Sequence, residues 1–448
     1  MDKNLIIRES VVMNLQEIYK SKVITAEQAA GKIVSGNRVA TGHACAEPVT
    51  LIEAMLKNKD SYQDVEIVHM VPMGKDEYTK PEMESHFKHN ALFAGASTRE
   101  AIASGRADFT PCFFSKIPEL FKNNYLPVDV ALIQVSSPDE HGCCSFGLSV
   151  DYTKAAAECA KMVIAEVNKE MPRTMGDSFI NVSDIDYIVE SNHPLIELTS
   201  PKIGDVERAI GENCASLVED GSTLQLGIGA IPDAVLLFLK GKKDLGIHSE
   251  MISDGVVELV EAGVITGKAK SLHEGKIVVT FLMGSKRLYD FVDNNPMVEM
   301  YSVDYVNDPY IIAKNNKMVC VNSAIQVDLM GQVNAEMIGE TQFSGTGGQV
   351  DFVRGASMAK DGKSIIAMPS TACKGKVSRI KPNLDEGAAV TTLRNDVQYI
   401  VTEYGIAELK GKTLKNRAKA LINIAHPDFR NELIQEFEKR FKCKFTSK

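Results

Sequence analysis

The stretch QLGIGAIPDAVLLFLKGKKDLGIHSEMISDG, from Gln225 to Gly255, constrains the fold more than any other part of the chain. Leu224, Gln225 and Leu226 run extended into Gly227-Ile228-Gly229-Ala230-Ile231. The two glycines there supply torsions that cost other residues energy, and they bring backbone N–H groups within reach of a ligand. Pro232 is expected to hold Ile231 extended and to open a helix running to Lys240, which Gly241 stops in a left-handed end. The N-terminus of that helix offers unpaired N–H groups and partial positive charge, suited to a phosphate, a carboxylate or an oxyanion. A second strand, Leu245 to Ser249, delivers Glu250 at its end. Val256, Val257, Leu259 and Val260 recur at helical spacing and predict a helix over Asp254 to Ala262, closed by Gly263. Strand, glycine turn, helix and strand make the repeat of an open α/β sheet, whose ligand crevice lies at the carboxyl ends of the strands.

A chain of 448 residues is too long for one ordinary core and calls for two domains. An internal echo sets the division: GNRVATGHACAEPVTL (Gly36 to Leu51) lies on GSTLQLGIGAIPDAVL (Gly221 to Leu236), so that Gly42 matches Gly227. Two similar α/β halves follow, 1–200 and 201–448, joined by the proline-bearing His193 to Asp205. Buried-looking strands are expected at Val65–Met70, Val128–Val135 and Met162–Val167, with helices at Thr98–Ser104 and Tyr152–Ala160. The second half repeats the habit with strands at Lys276–Leu282, Met318–Val321, Ser364–Ala367, Ala389–Thr391 and Tyr399–Thr402. Two amphipathic helices broken at His426-Pro427 end the chain.

Hydrophobic content of 44% and charged content of 24% are those of a globular protein rather than a disordered one. The charged start MDKNLIIRES is no secretory signal, no apolar run reaches membrane-spanning length, and the nine cysteines lack CxxC spacing, so a cytoplasmic protein with reduced thiols is expected. A net charge of −9 and the absence of tryptophan argue against non-specific nucleic-acid binding. His86 and His89 stand at helical i,i+3 spacing without further ligands nearby, so no metal site is expected. GIGAIPDA imitates a dinucleotide fingerprint, but its glycine spacing is incomplete.

A second glycine cluster, FSGTGGQVDFVRG, places Gly345, Gly347 and Gly348 within four residues, either as a tight turn or as a nest of N–H groups for an anion. Two glycine loops and Glu250 together would suit acyl transfer with a developing oxyanion, although most of the 59 acidic residues must be solvated surface groups.

With these motifs go HSEMISDGVVELVEAGVI, VTEYGIAELKGK and INIAHPDF, with AEP (Ala46 to Pro48) and SSPDEHGCCSFG (Ser136 to Gly147) in the first half, and by several motifs in order along nearly the whole chain it resembles the acetyl-CoA hydrolase/transferase family. The resemblance implies two similar open α/β domains of CoA-transferase type with mainly parallel sheets and an active site in the cleft between them. It implies an enzyme moving CoA between an acyl-CoA such as acetyl-CoA and a short-chain carboxylate, with 4-hydroxybutyrate or butyrate as acyl group; acyl-CoA hydrolysis is the alternative. Glu250 matches the nucleophilic glutamate, which forms a mixed anhydride and then a glutamyl-CoA thioester. Gly227, Ile228, Gly229, Ala230 and Ile231 match the CoA-contacting loop, and Ile325 and Gly348 fall on other CoA positions, with the Gly348 N–H as oxyanion donor. Lys374 is assigned to the anionic end of CoA, although Cys373 occupies the position where the family's lysine is expected. His43, Glu47 and Gln225 are candidates for the carboxylate pocket, against the plainer readings of a turn histidine, a helix-start acid and a strand glutamine. CoA is a substrate in this scheme, no cofactor is tightly bound, and a homodimer or larger homo-oligomer is expected.

Overall fold

A computed structural model describes residues 15–74 and 77–446. The chain forms two compact units: one of residues up to Cys112, Lys116–Leu198 and Val279–Tyr305, the other of Phe113–Ser115, Thr199–Val278 and Val306–Lys448. The passage from Leu198 to Thr199 lies beside the boundary expected at 200/201, yet Val279–Tyr305 belongs to the first unit. Its backbone explains why: the Thr280 carbonyl accepts from the N–H groups of Val150 and Asp151, Leu282 N–H donates to Leu148, and Val303 N–H donates to Asp151. No side-chain periodicity records such bonds.

In the first unit seven strands lie in the order Tyr187–Ser191, Met162–Asn168, Val130–Val135, Arg38–Thr41, Val65–His69, Phe87–Ala91 and Ala107–Phe109, all parallel. Val130–Val135 is buried at every residue, the pattern of a strand covered on both faces. The helix Val49–Lys57 covers one face through Leu51, Ile52, Ala54, Met55 and Leu56. Arg38–Thr41 is the switch point: the chain winds outward from it on one side and returns to Val130–Val135 on the other, so the loop beginning at Gly42 opens where such sheets hold ligands. His89 lies in a strand, Phe87–Ala91, and His86 just before it, not on the helix their spacing suggests.

The second unit repeats the winding. Its strands run in the order Gly405–Glu408, Tyr399–Thr402, Lys363–Ala367, Met318–Asn322, Thr223–Leu226, Gly246–His248 and Ile277–Val279. Thr223–Leu226 pairs in parallel with Gly246–His248 and with Met318–Asn322, and so occupies the switch point as Arg38–Thr41 does. The internal echo has a backbone counterpart, since Gly36 and Gly221 both take left-handed torsions (φ 79° and 73°) just before the two switch strands. The run Lys276–Leu282 is divided into Ile277–Val279 and Phe281–Leu282, and Ala389–Thr391 is no strand; nearby, Thr392 makes only an isolated bridge to Val333. The terminal helices are Leu414–Asn423 and Pro427–Phe441, with His426 as N-cap of the second and Pro427 at its first position.

Candidate active site

The glycine turn after Thr223–Leu226 leads into a helix over Ala230–Phe238, capped by Gly229 at φ 117° and ψ 179°. Ala230 and Ile231 are therefore helical, and Pro232 is the third helical residue rather than the first. The first turn tolerates proline throughout, because its N–H groups have no intrahelical partner to lose. At the other end Leu239 caps the helix in right-handed torsions, so Gly241 does not stop it in a left-handed end. A Cβ added at Gly227 or at Gly229 would meet no atom within 4 Å, and Ile228 is 41% exposed, so the turn opens onto free space. Backbone N–H groups at the start of a helix are thus accessible, the arrangement an anionic group recognises.

Glu250 stands just past the strand Gly246–His248, on the same sheet edge as this turn. Ser249 ties the two together: its hydroxyl donates to the Leu226 carbonyl (3.2 Å) and accepts from the Leu226 N–H (3.4 Å). The half-buried Glu250 side chain accepts a 2.8 Å hydrogen bond at Oε2 from Nδ2 of Asn307, a fully buried residue. Against the same carboxylate lies Gly348, the N-cap of the helix Gln349–Met358, where a Cβ would overlap both the Glu250 oxygen and the Asn307 amide nitrogen. Of the three clustered glycines only Gly347 takes a left-handed torsion (φ 52°); Gly348 is needed for space instead. Asp351, 4% exposed in the first turn of that helix, accepts from Ser115 at its N–H (3.2 Å) and hydroxyl (2.9 Å). Burial pushes its carboxyl up to about 7, and hydrogen bonds from Ser115 and Asn307 oppose the shift. Sequence reasoning missed Asn307, which carries no motif and meets Glu250 across 57 residues of chain, and passed over Asp351 within the second glycine motif, where nothing in the sequence marks it as buried.

A carboxylate that accepts from a buried amide and lies against a glycine backbone is an arrangement suited to nucleophilic attack with hydrogen-bond donors beside it. The other second-unit candidates are placed differently. Gln225 is buried, and its side chain exchanges hydrogen bonds with the Asn322 amide (3.1 and 3.4 Å) across the paired strands Thr223–Leu226 and Met318–Asn322, a side-chain partner in place of backbone. Ile325 is half-buried, its N–H donating to the Asn334 carbonyl. Lys374 is exposed at the tip of the hairpin formed by Thr371–Ala372 and Val377–Ser378, where Cys373, Lys374 and Gly375 all have positive φ (51°, 58° and 84°).

In the first unit His43 and Glu47 flank a 3₁₀ turn, Ala44–Ala46, at the switch point. Both are buried. His43 Nδ1 lies 2.7 Å from Asp151 Oδ2, and its ring packs edge-on to Phe281 at 4.8 Å. Glu47 Oε2 accepts from the N–H groups of Met73 (2.9 Å) and Gly74 (2.8 Å), pinning the loop after Val65–His69. Burial alone would raise the Asp151 carboxyl, but the neighbouring His43 and hydrogen bonds from Ser149 and Thr153 hold it below its usual range.

The sequence profile of the acetyl-CoA hydrolase/transferase N-terminal domain matches residues 8–198, and that of the C-terminal domain matches residues 284–437. The 4-hydroxybutyrate coenzyme A transferase of Clostridium kluyveri is 71% identical over 429 residues, 96% of this chain and 100% of that protein. Succinyl-CoA:cyclohexane-1-carboxylate CoA transferase of Geobacter metallireducens is 46% identical over 93% of this chain and 95% of its own length. Among solved structures, 4-hydroxybutyrate CoA-transferase from Porphyromonas gingivalis superposes with a TM-score of 0.83 at 47% identity, over 95% of this chain and 100% of that one. By both domains and by identity along nearly its whole length, this chain belongs to the acetyl-CoA hydrolase/transferase family.

Proposed function

We propose that this protein moves CoA between an acyl-CoA and a short-chain carboxylate, with 4-hydroxybutyrate as the acid and acetyl-CoA as a CoA donor, through Glu250. The observation that carries the reading is the Glu250 carboxylate itself, oriented by Asn307 and faced by the bare Cα of Gly348. One carboxylate oxygen attacks the thioester carbonyl, the C–S bond breaks, and CoA leaves as thiolate with an acyl-glutamyl anhydride in its place. The thiolate then attacks the glutamyl carbonyl, releasing the first acid as carboxylate and leaving a glutamyl-CoA thioester. A second carboxylate runs the two steps in reverse. Each tetrahedral intermediate places negative charge on an oxygen beside Glu250, where the Gly348 N–H and the Asn307 amide are the donors at hand. The open turn from Gly227 to Ile231 offers N–H groups at a helix N-terminus for the anionic CoA, and Lys374 a cation for its phosphates.

The assignment of 4-hydroxybutyrate follows the relative at 71% identity, while 46% identity already accompanies a ring carboxylate as substrate. A hydroxyl on the acyl chain is a small recognition difference, so kcat/KM across acetate, butyrate and 4-hydroxybutyrate decides it. All nine cysteines are free thiols, and among the described residues no helix is long and apolar enough to cross a membrane; both support a place in the reducing cytoplasm. A homodimer or larger homo-oligomer is the expected assembly, to be read by light scattering.

Incubation with acetyl-CoA and no acceptor acid is expected to leave a CoA adduct on the peptide containing Glu250, visible by intact mass and cleaved by hydroxylamine. Glu250→Gln keeps the shape but lacks the attacking anion, so the adduct should vanish while CoA binding persists. An adduct that survives in Glu250→Gln, or that maps to Cys373, would overturn the mechanism. Free thiol accumulating equally with and without acetate would make the protein a hydrolase instead.

A further inference from the structure

A buried carboxylate that the reaction above does not use holds the loop carrying Gly348. Glu336 is 8% exposed, and both its oxygens accept from threonine hydroxyls: Oε1 from Thr391 (3.0 Å) and Oε2 from Thr346 (3.3 Å). Its backbone carbonyl accepts from the N–H groups of Phe343 (2.7 Å) and Ser344 (3.0 Å). Glu336 therefore grips the loop where it begins, through its main chain, and in the middle, through its side chain. Neighbouring bonds brace this arrangement: the Ser344 hydroxyl donates to the Ala335 carbonyl (2.8 Å), and the Ala335 N–H to Thr391 Oγ1 (2.9 Å). At the far end of the loop Gln349 Nε2 donates to Thr392 Oγ1 (3.0 Å).

Thr346 is the one residue with a side chain in Gly345-Thr346-Gly347-Gly348, and so offers the only side-chain anchor for a segment whose glycines give its backbone the widest freedom. The Glu336–Thr346 hydrogen bond sits two residues before Gly348 and ties the turn to a buried side chain. Gly348 has no spare room against Glu250, so the loop's placement is felt directly at the carboxylate.

We propose that Glu336 is a positioning residue for the chemistry of Glu250: by holding Thr346 it keeps the Gly-Thr-Gly-Gly turn, and with it the Gly348 N–H, in place against the nucleophile. This rests on Glu250 being the nucleophile. Sub-ångström displacement of donors from a reacting oxygen is enough to slow chemistry without weakening binding of the distant parts of a substrate.

The test is single-turnover formation of the Glu250–CoA adduct from acetyl-CoA in the full chain, together with steady-state kcat and KM. Glu336→Ala is expected to slow adduct formation roughly ten- to a hundredfold with KM for acetyl-CoA held within about twofold. Glu336→Gln, which can accept from Thr391 and donate to Thr346, should recover most of the rate. Thr346→Val should resemble Glu336→Ala, and the double variant should be no slower than either single one, because one link is broken in all three. An unchanged adduct rate in Glu336→Ala, a raised KM with kcat kept, or effects that multiply in the double variant would overturn the proposal. If Glu336→Ala does not fold by circular dichroism, Thr346→Val decides alone, since it removes only the hydroxyl: a wild-type rate overturns the proposal and a slowed one supports it. Wild-type protein that forms no adduct on Glu250 would instead overturn the nucleophile assignment, before any Glu336 variant is compared.

Discussion

A Cβ at position 348 would collide with the ends of two side chains, Glu250 and Asn307, and with no backbone atom. Gly348 itself has φ −94° and ψ 5°, torsions that alanine adopts without difficulty. Gly348→Ala therefore adds no backbone strain, and the half-buried Glu250 can swing aside at small cost. The fold should survive, with Tm within a few degrees of wild type, while the carboxylate leaves its place beside the donor. On that reasoning kcat falls by about a hundredfold or more, the size of effect that follows from a misplaced nucleophile or a lost oxyanion donor. A large loss of Tm would show that the backbone, not the carboxylate, needed the glycine. Near-normal turnover would remove this loop from the site. Gly229 poses the opposite problem, with open space around it but a φ of 117° that only glycine holds easily.

At the scale of elements, the helix that begins at the glycine turn packs on the preceding helix, Asp205–Ser216, through another glycine. A Cβ at Gly211 would lie 2.7 Å from the carbonyl carbon and Cβ of Ala234 and 2.9 Å from its oxygen. Alanine there would gain about 1 kcal/mol of helix propensity. Overpacking costs about 1–3 kcal/mol, and here the obstacle is backbone, which cannot rotate away. Gly211→Ala is expected to lose about 1–2 kcal/mol net, measured as a lower urea midpoint with the m-value kept; a higher midpoint would mean that the two helices separate freely. Such contacts mark the limit of what one sequence reveals about its elements. Tyr399–Thr402 and Met162–Asn168 were legible because strands buried on both faces are apolar along most of their length, Glu166 and Asn168 being buried exceptions, and Gly263 because its left-handed torsion (φ 72°) ends the helix Asp254–Glu261. Ala389–Thr391 misleads because three apolar or β-branched residues make a strand only where a neighbour offers its backbone. The start of the helix at Ala230 was obscured because proline fits any place in a first turn. Glu250 stood out as a candidate from its motif, whereas Asn307 and Glu336 make their contacts only once the chain is folded.

Across the whole molecule, buried titratable groups set how stability responds to pH, and they pull in opposite directions. Burial lowers His89 to about 4 and His248 to about 3, and His69 well below its usual range; for His69 the neighbouring His43 adds to the effect, and for His248 Lys270 does. Between those values and about 6.5 the unfolded chain binds protons that the folded one refuses, so stability on their account rises with pH up to about 6.5 and is lost as pH falls. Asp351 behaves in reverse. Its folded carboxyl titrates at about 7 and an unfolded aspartate at about 4, so between these the folded state holds the extra proton. Stability on its account is full below about pH 4, falls as pH rises, and levels off above about 7. The wild-type curve mixes the two trends, but a difference curve separates them. Asp351→Asn keeps an oxygen to accept from Ser115 and cannot ionise, so it removes the falling limb alone while leaving the histidines untouched. Calorimetry should show the variant's Tm, relative to wild type, climbing between pH 4 and pH 7 and holding steady beyond. A difference that stays flat across that range would mean that Asp351 is ionised in the folded protein throughout. Glu250 would then react with a second negative charge close by, on the far side of Asn307, and its attack on a thioester should gain rate in Asp351→Asn at every pH.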